Sequence, residues 1–161
     1  MNAPTTNARS PDVPEGFVPM PFGDGFVSNN GPLFGRWDGT HFLLGFRVEP
    51  RHCNPMEIAH GGMMMLFADM QLPIAARLQA GLGDHFLPTI AMTCDFVGPS
   101  PLGAWVQGKA DVLKVTRNLV FAQCLVTADD VPVLRASGTF KIATGRKAPP
   151  LSVEALFGKK A

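Results

Sequence analysis

From Phe34 onward the chain alternates apolar runs of strand length with short polar breaks. Two β-like runs, LFGRWDG and THFLLGFRVEP, are parted by Asp38-Gly39, a dipeptide that favours a hairpin. RHCNPMEIA follows as a loop with Asn54-Pro55 as its turn signal. The pattern then changes period. Beginning near Gly61, MMMLFADMQLPIAARLQAGLG is dense in Met, Leu and Ala and is closed by Gly81 and Gly83, which predicts a helix. It is apolar almost all round and is expected to be buried. Four strand candidates succeed it: LPTIAMTCDFV, AWVQGKADVLKVT, NLVFAQCLVTA and VLRASGTFKIA. Gly98-Pro99, the stretch Thr116 to Asn118, and Asp129-Asp130 separate them as turns. Consecutive strands joined by short turns must be antiparallel. An antiparallel sheet wrapped around one long central helix is the economical architecture, an α+β fold.

The flanks read differently. Residues 1–28 are rich in Pro, Gly, Asn and Ser and are expected to form a flexible arm or a loosely packed cover. Residues 29–145 hold the domain, and 146–161 read as a tail: a linker with a short final helix and a charged Lys159-Lys160 end. At 161 residues there is room for one core. Hydrophobic residues make up 46% and charged residues 17%, so some apolar surface is expected to hide in a subunit interface. A net charge of +1 with no basic run in mid-chain excludes a nucleic-acid binder. Cys53, Cys94 and Cys124 are odd in number and far apart, which argues for reduced thiols over a disulfide framework or zinc knuckle. His41, His52 and His85 lack metal-ligand spacing, and no Gly-x-Ser-x-Gly elbow occurs. The N-terminus lacks the apolar stretch of a signal peptide, and the most apolar segment carries an acid and a proline. A soluble cytoplasmic protein is expected, without membrane partner, metal or redox cofactor. Trp37 and Trp105 read as core or interface residues.

The residues that carry chemistry cluster between Asn54 and Asp69. Gly61 and Gly62 stand where loop becomes helix, and their bare backbones let a ligand approach the first unpaired N–H groups. Such groups can cradle a carbonyl oxygen that acquires negative charge, although a glycine pair before a helix more often serves steric relief. Asp69 is harder to explain by packing. It shares a helical face with Gly62, Met65, Leu66, Leu72, Pro73 and Ala76. A carboxylate on that stripe loses hydration and must be paired, protonated or functional as a base or nucleophile. Pro73 cannot donate to the carbonyl of residue 69, so a kink is expected there. From Gly61 to Asp69 is roughly 12 Å of helical rise, too far for both to touch one carbonyl group. If both act on one bond, they come from two subunits related by a twofold axis.

The segment CNPMEIAHGGMMMLFADMQLPIAA resembles the signature of the hotdog-fold thioesterases of the 4-hydroxybenzoyl-CoA thioesterase superfamily, in the phenylacetate-degradation branch. The pattern is an Asn six residues before His-Gly-Gly and an Asp nine residues after the His; Asn54, His60, Gly61, Gly62 and Asp69 match it. The resemblance extends over about residues 31 to 145. It implies that Gly61 N–H and the Asn54 side chain polarise a thioester carbonyl while His60 orders the loop. It implies further that Asp69 of the partner subunit activates water or attacks directly, assisted by Thr89. Gly62 and Met65 are then substrate contacts, and Arg117 and Asn118 touch the coenzyme A arm. Two departures stand out: Glu57 occupies a position where the family commonly has Gly, and Met63, Met64 and Met65 crowd the helix, which fits core packing better than an adaptable pocket.

The function so implied is hydrolysis of acyl-CoA to free acid and coenzyme A by a homo-oligomer, at least a dimer, with a tetramer open. Two rivals remain. A hotdog dehydratase would need His and Asp arranged otherwise, and an acyl-CoA sensor would need neither Asp69 nor Asn54.

Overall fold

The computed structural model describes residues 12–158; the first eleven residues of the arm and the Lys159-Lys160 end lie outside the described residues. In chain order the elements are β1 (Val18–Pro19), α1 (Phe26–Asn29), β2 (Phe34–Trp37), β3 (Phe42–Arg47), α2 (Gly61–Gln79), β4 (Thr89–Phe96), β5 (Trp105–Val115), β6 (Leu119–Ala128), β7 (Val131–Lys141) and α3 (Val153–Phe157). Seven antiparallel strands form one sheet in the order β1-β2-β3-β5-β6-β7-β4. Its inward side chains, among them Phe42, Phe46, Val106, Val126, Leu134 and Phe140, close on Phe67 and Leu72 of α2. The two tryptophans are buried.

Local chemistry explains the hairpins. Asp38 Oδ1 accepts from the backbone N–H of Thr40 and His41, closing the β2–β3 turn. Asp129 and Asp130 both take positive φ, 46° and 67°, as the tight β6–β7 turn requires. One turn signal led elsewhere. Gly98-Pro99 does not fold β4 back onto β5; the chain crosses over, and β4 pairs with β7 at the sheet edge. Short sequence separation fixed the antiparallel sense but not the neighbour.

Two further readings are corrected. The helix is not buried all round: Met63, Met64, Phe67, Ala68 and Leu72 are covered, whereas Gly62 and Met65 are exposed and Leu66, Asp69, Met70, Pro73 and Arg77 only partly covered. That open stripe is the one bearing Asp69. The stretch read as free of regular structure contains β1 and α1, and Phe17 packs with Phe34, Leu43 and Trp105 on the outer sheet face, its ring edge-on to Trp105 at 5.0 Å. At the other end Ser152 Oγ caps α3 by accepting from Ala155 N–H, and Val153 enters the core.

Two glutamines tie helix to sheet, one buried and one half-buried. Gln71 Oε1 accepts from Leu44 N–H at 2.8 Å and its Nε2 donates to Phe42 O at 3.0 Å. Eight residues on, Gln79 receives Phe42 N–H and donates to Ala110 O. Among the described residues no helix is long and apolar enough to cross a membrane.

Candidate active site

The loop before α2 is held from both sides. Asn54 N–H donates to Ile58 O, Glu57 N–H to Asn54 O, and Ala59 N–H to Ser100 O at 2.8 Å. Asn54 Oδ1 accepts from Met56 N–H at 2.9 Å, which orients the amide and leaves Nδ2 as the group that can donate outward. Glu57 adopts φ 57°, a left-handed conformation that a residue without Cβ takes at less cost. A glycine, which the resemblance implies at this position, would meet no such cost.

His60 serves as N-cap of α2. Its Nδ1 accepts from Gly62 N–H at 2.9 Å, and its carbonyl receives Met63 and Met64 N–H. Of the four donors that lack a helical partner, His60 thereby satisfies those of Gly62 and Met63, His60 N–H itself donates to His52 O, and Gly61 N–H is the one that remains. It carries the positive end of the helix dipole. With Nδ1 accepting, the neutral ring holds its proton on Nε2. Gly61, Asn54, Met64, Ser100, Phe96 and Val97 line a cavity of about 390 Å³, and the Phe96 ring lies 3.5 Å from where a Cβ on Gly61 would sit.

Asp69 lies two turns along the helix in a different depression. Its Oδ1 accepts from Thr89 Oγ1, the first residue of β4, at 2.6 Å. The register of β4 slips between Thr89 and Ala91, so Ile90 bulges out at this point. Asp69 and Thr89 line a cavity of about 330 Å³ with Met70, Pro73, Arg77 and Phe86. No residue lines both this cavity and the one at Gly61. The two groups of candidate residues thus line separate cavities at opposite ends of β4.

Cys94, on the same strand, does not compete as nucleophile: burial, then the neighbouring Asp95 and Asp69 charges, raise its thiol above the ordinary value. Cys124 is pushed up to about 12 by burial. All three cysteines are free. Gly62 and Met65 are exposed and line neither cavity, and Arg117 and Asn118, at the exposed β5–β6 turn, line neither as well. A larger depression of about 500 Å³, on the outer sheet face between Leu43 and Arg135, holds none of the candidate residues. Sequence reasoning missed Phe96, Ser100, Arg77 and Phe86 as liners: Phe96 and Ser100 come from the end of β4 and the crossover after it, Phe86 from the α2–β4 loop, and Arg77 from the last turn of α2.

Comparisons with known proteins bear on the family and the fold. Residues 56–134 match the family model described as the thioesterase superfamily. A Pseudomonas aeruginosa protein provisionally assigned as an esterase is 30% identical over 132 residues, 81% of this chain and 98% of its own length. Zebrafish thioesterase superfamily member 2 superposes with a TM-score of 0.68 at 20% identity, over 76% of this chain and 90% of that one. The E. coli PaaI protein from the phenylacetic acid degradation operon gives 0.62 at 19% identity, over 71% and 86%. A Streptococcus mutans protein bound to acetyl CoA gives 0.58 at 19% identity, over 67% and 85%. The chain has the hotdog fold and belongs to the thioesterase superfamily.

Proposed function

We propose that this protein hydrolyses acyl-CoA thioesters to the free acid and coenzyme A, at two sites shared between the subunits of a homodimer. The observation that carries the reading is the division of the site. Asp69, fixed by Thr89, and Gly61 N–H, left uncapped by His60, lie at opposite ends of one edge strand. One edge of β4 bonds to β7; among the described residues the other is unpaired, and Ile90, Phe96 and Val97 are more than half exposed along it. An apolar free edge invites a second strand. Joined antiparallel, two β4 strands bring the start of one, with Thr89 and Asp69, beside the end of the other, with Phe96 and Gly61. Two equivalent sites result.

In each, Gly61 N–H and Asn54 Nδ2 hold the thioester carbonyl oxygen. Asp69 of the second subunit either takes a proton from attacking water or attacks first and is freed by water. On either route a C–O bond forms, the C–S bond breaks, and the thiolate of coenzyme A leaves and takes up a proton. The charge that develops on the carbonyl oxygen faces the helix N-terminus, where preorganised donors act most strongly. Arg117, beside Asn118 on the β5–β6 turn, offers a cation to the phosphates of the coenzyme. The acetyl CoA bound to the Streptococcus mutans neighbour supports this substrate class.

The test is thiol release from short, long and aromatic acyl-CoAs, with wild type and Asp69→Asn. Wild-type turnover that falls at least a hundredfold in the variant, with binding retained, is expected. Binding of the whole panel without any thiol release would leave a sensor in its place.

A further inference from the structure

The cavity beside Asp69 has two unlike ends. Met70, Pro73, Ile74, Phe86 and Leu87 make its walls apolar, but it runs on to Arg77 and His85. Asp69, Pro73 and Arg77 recur every four residues of α2 and share one face, and Asp69 to Arg77 is roughly 12 Å of helical rise. A carboxylate thus stands at one end of the groove and a guanidinium at the other.

The guanidinium is held in place. Arg77 Nη2 donates to Gly83 O at 2.6 Å and to Pro149 O, which pins it where the α2–β4 loop meets the C-terminal segment. Its charge is matched only at a distance, by Asp84. Among the described residues no carboxylate forms an ion pair with Arg77, and its Nε is buried without a partner. Asp84, the acid in the adjoining loop, is engaged by Lys147 Nζ at 2.7 Å and lies 3.3 Å from His85 Nδ1. The Lys147 bond holds the Asp84 carboxyl below its usual range. A partly buried cation whose acid neighbour is engaged by Lys147 still attracts an anion, and the Nη1 of a guanidinium pinned through Nη2 offers a carboxylate a fixed donor.

We propose that the groove selects acyl groups that end in a carboxylate, Arg77 binding the distal carboxylate of a dicarboxylic monothioester while Asp69 faces the thioester. This rests on the thioesterase reading and names its substrate class. The chemistry at the thioester is unchanged; Arg77 determines specificity and takes no part in bond making.

The experiment compares kcat/KM for adipyl-CoA against hexanoyl-CoA and for suberyl-CoA against octanoyl-CoA. Wild type is expected to favour the carboxylate-bearing member of at least one pair by about tenfold or more, mainly through KM. Arg77→Gln, which keeps N–H groups for the Gly83 carbonyl but removes the charge, is expected to bring that ratio within about threefold of unity. Parity in both pairs, or preference for the plain acyl groups, in wild type overturns the proposal whether or not the variant folds. So does a preference that survives in Arg77→Gln. Hydrolysis of none of the four, nor of benzoyl-CoA or acetyl-CoA, instead overturns the thioesterase reading and takes this proposal with it.

Discussion

Thr89 Oγ1 donates to Asp69 Oδ1 at 2.6 Å, tying the first residue of an edge strand to the middle of the central helix. The bond fixes one carboxylate oxygen; under the proposed function the other is the one that acts. A hydrogen bond to a charged acceptor contributes about 1.5–3 kcal/mol, so Thr89→Val is expected to lower kcat by roughly ten- to a hundredfold. Thr89→Ser, which restores the hydroxyl, is expected to recover most of it. Steady-state thiol release checks both, and an unchanged kcat in Thr89→Val would remove Thr89 from the site.

Gly61→Pro deletes the proposed oxyanion donor while leaving the helix intact. Proline is favoured at the first helical position, and the residue before it must be extended; His60 already has φ −61° and ψ 141°. A Cβ at this position meets the Phe96 ring at ordinary contact distance. The variant is expected to be dimeric by light scattering yet to lose about a hundredfold or more in kcat. Gly61→Ala, which keeps the N–H, is expected to hydrolyse far faster than the proline variant. Equal rates in the two would show that the donor is idle.

A shared site also predicts complementation. Mixed and refolded in equal amounts, Asp69→Asn and Gly61→Pro chains form mixed dimers in half of the population. Each has one intact site of two, so about a quarter of the wild-type rate should return from two inactive parents. A site built within one chain gives no recovery at any mixing ratio.

His60 is expected to act through the backbone. His60→Ala leaves Gly62 N–H without its cap and should cost about 1 kcal/mol, read as a lowered Tm, together with a fall in kcat as the loop loosens. His60→Asn, a good N-cap residue, should restore Tm. Activity lost in both while stability returns in the second would assign the ring a contact with substrate.

Much of this was legible in the chain. The hairpins at Asp38 and Asp129 follow from local turn chemistry, and the helix start at Gly61 follows from the His-Gly-Gly boundary. The separation of Gly61 from Asp69 follows from helical rise alone. What the chain hid depends on non-local placement. The crossover that carries β4 to β7 obeys no signal in GPSPLG, so Phe96 could not be brought to Gly61 by reading. The exposed stripe of α2 looks apolar because, under the proposed dimer, it meets a second subunit instead of the sheet.

Gln71 was equally hidden, since a glutamine in an apolar helix gives no sign of its partners. It is fully buried, and both ends of its amide bond to β3, at Leu44 N–H and Phe42 O. Opposite it lies Gly108, where an added Cβ would come within 3.3 Å of Gln71 Oε1 and 3.0 Å of the Phe67 ring, so the space is filled. Replacing the amide by leucine strands a buried backbone donor and acceptor at about 1–3 kcal/mol each. Gln71→Leu is therefore expected to lose roughly 2–6 kcal/mol, enough to unfold a marginal domain at 37 °C. Gln71→Glu should be at least as damaging, because it replaces a donor by a charge with no counter-ion. Urea unfolding followed by circular dichroism measures the loss. A Gln71→Leu variant as stable as wild type would mean that those two backbone groups find other partners and that the helix needs no polar pin to the sheet.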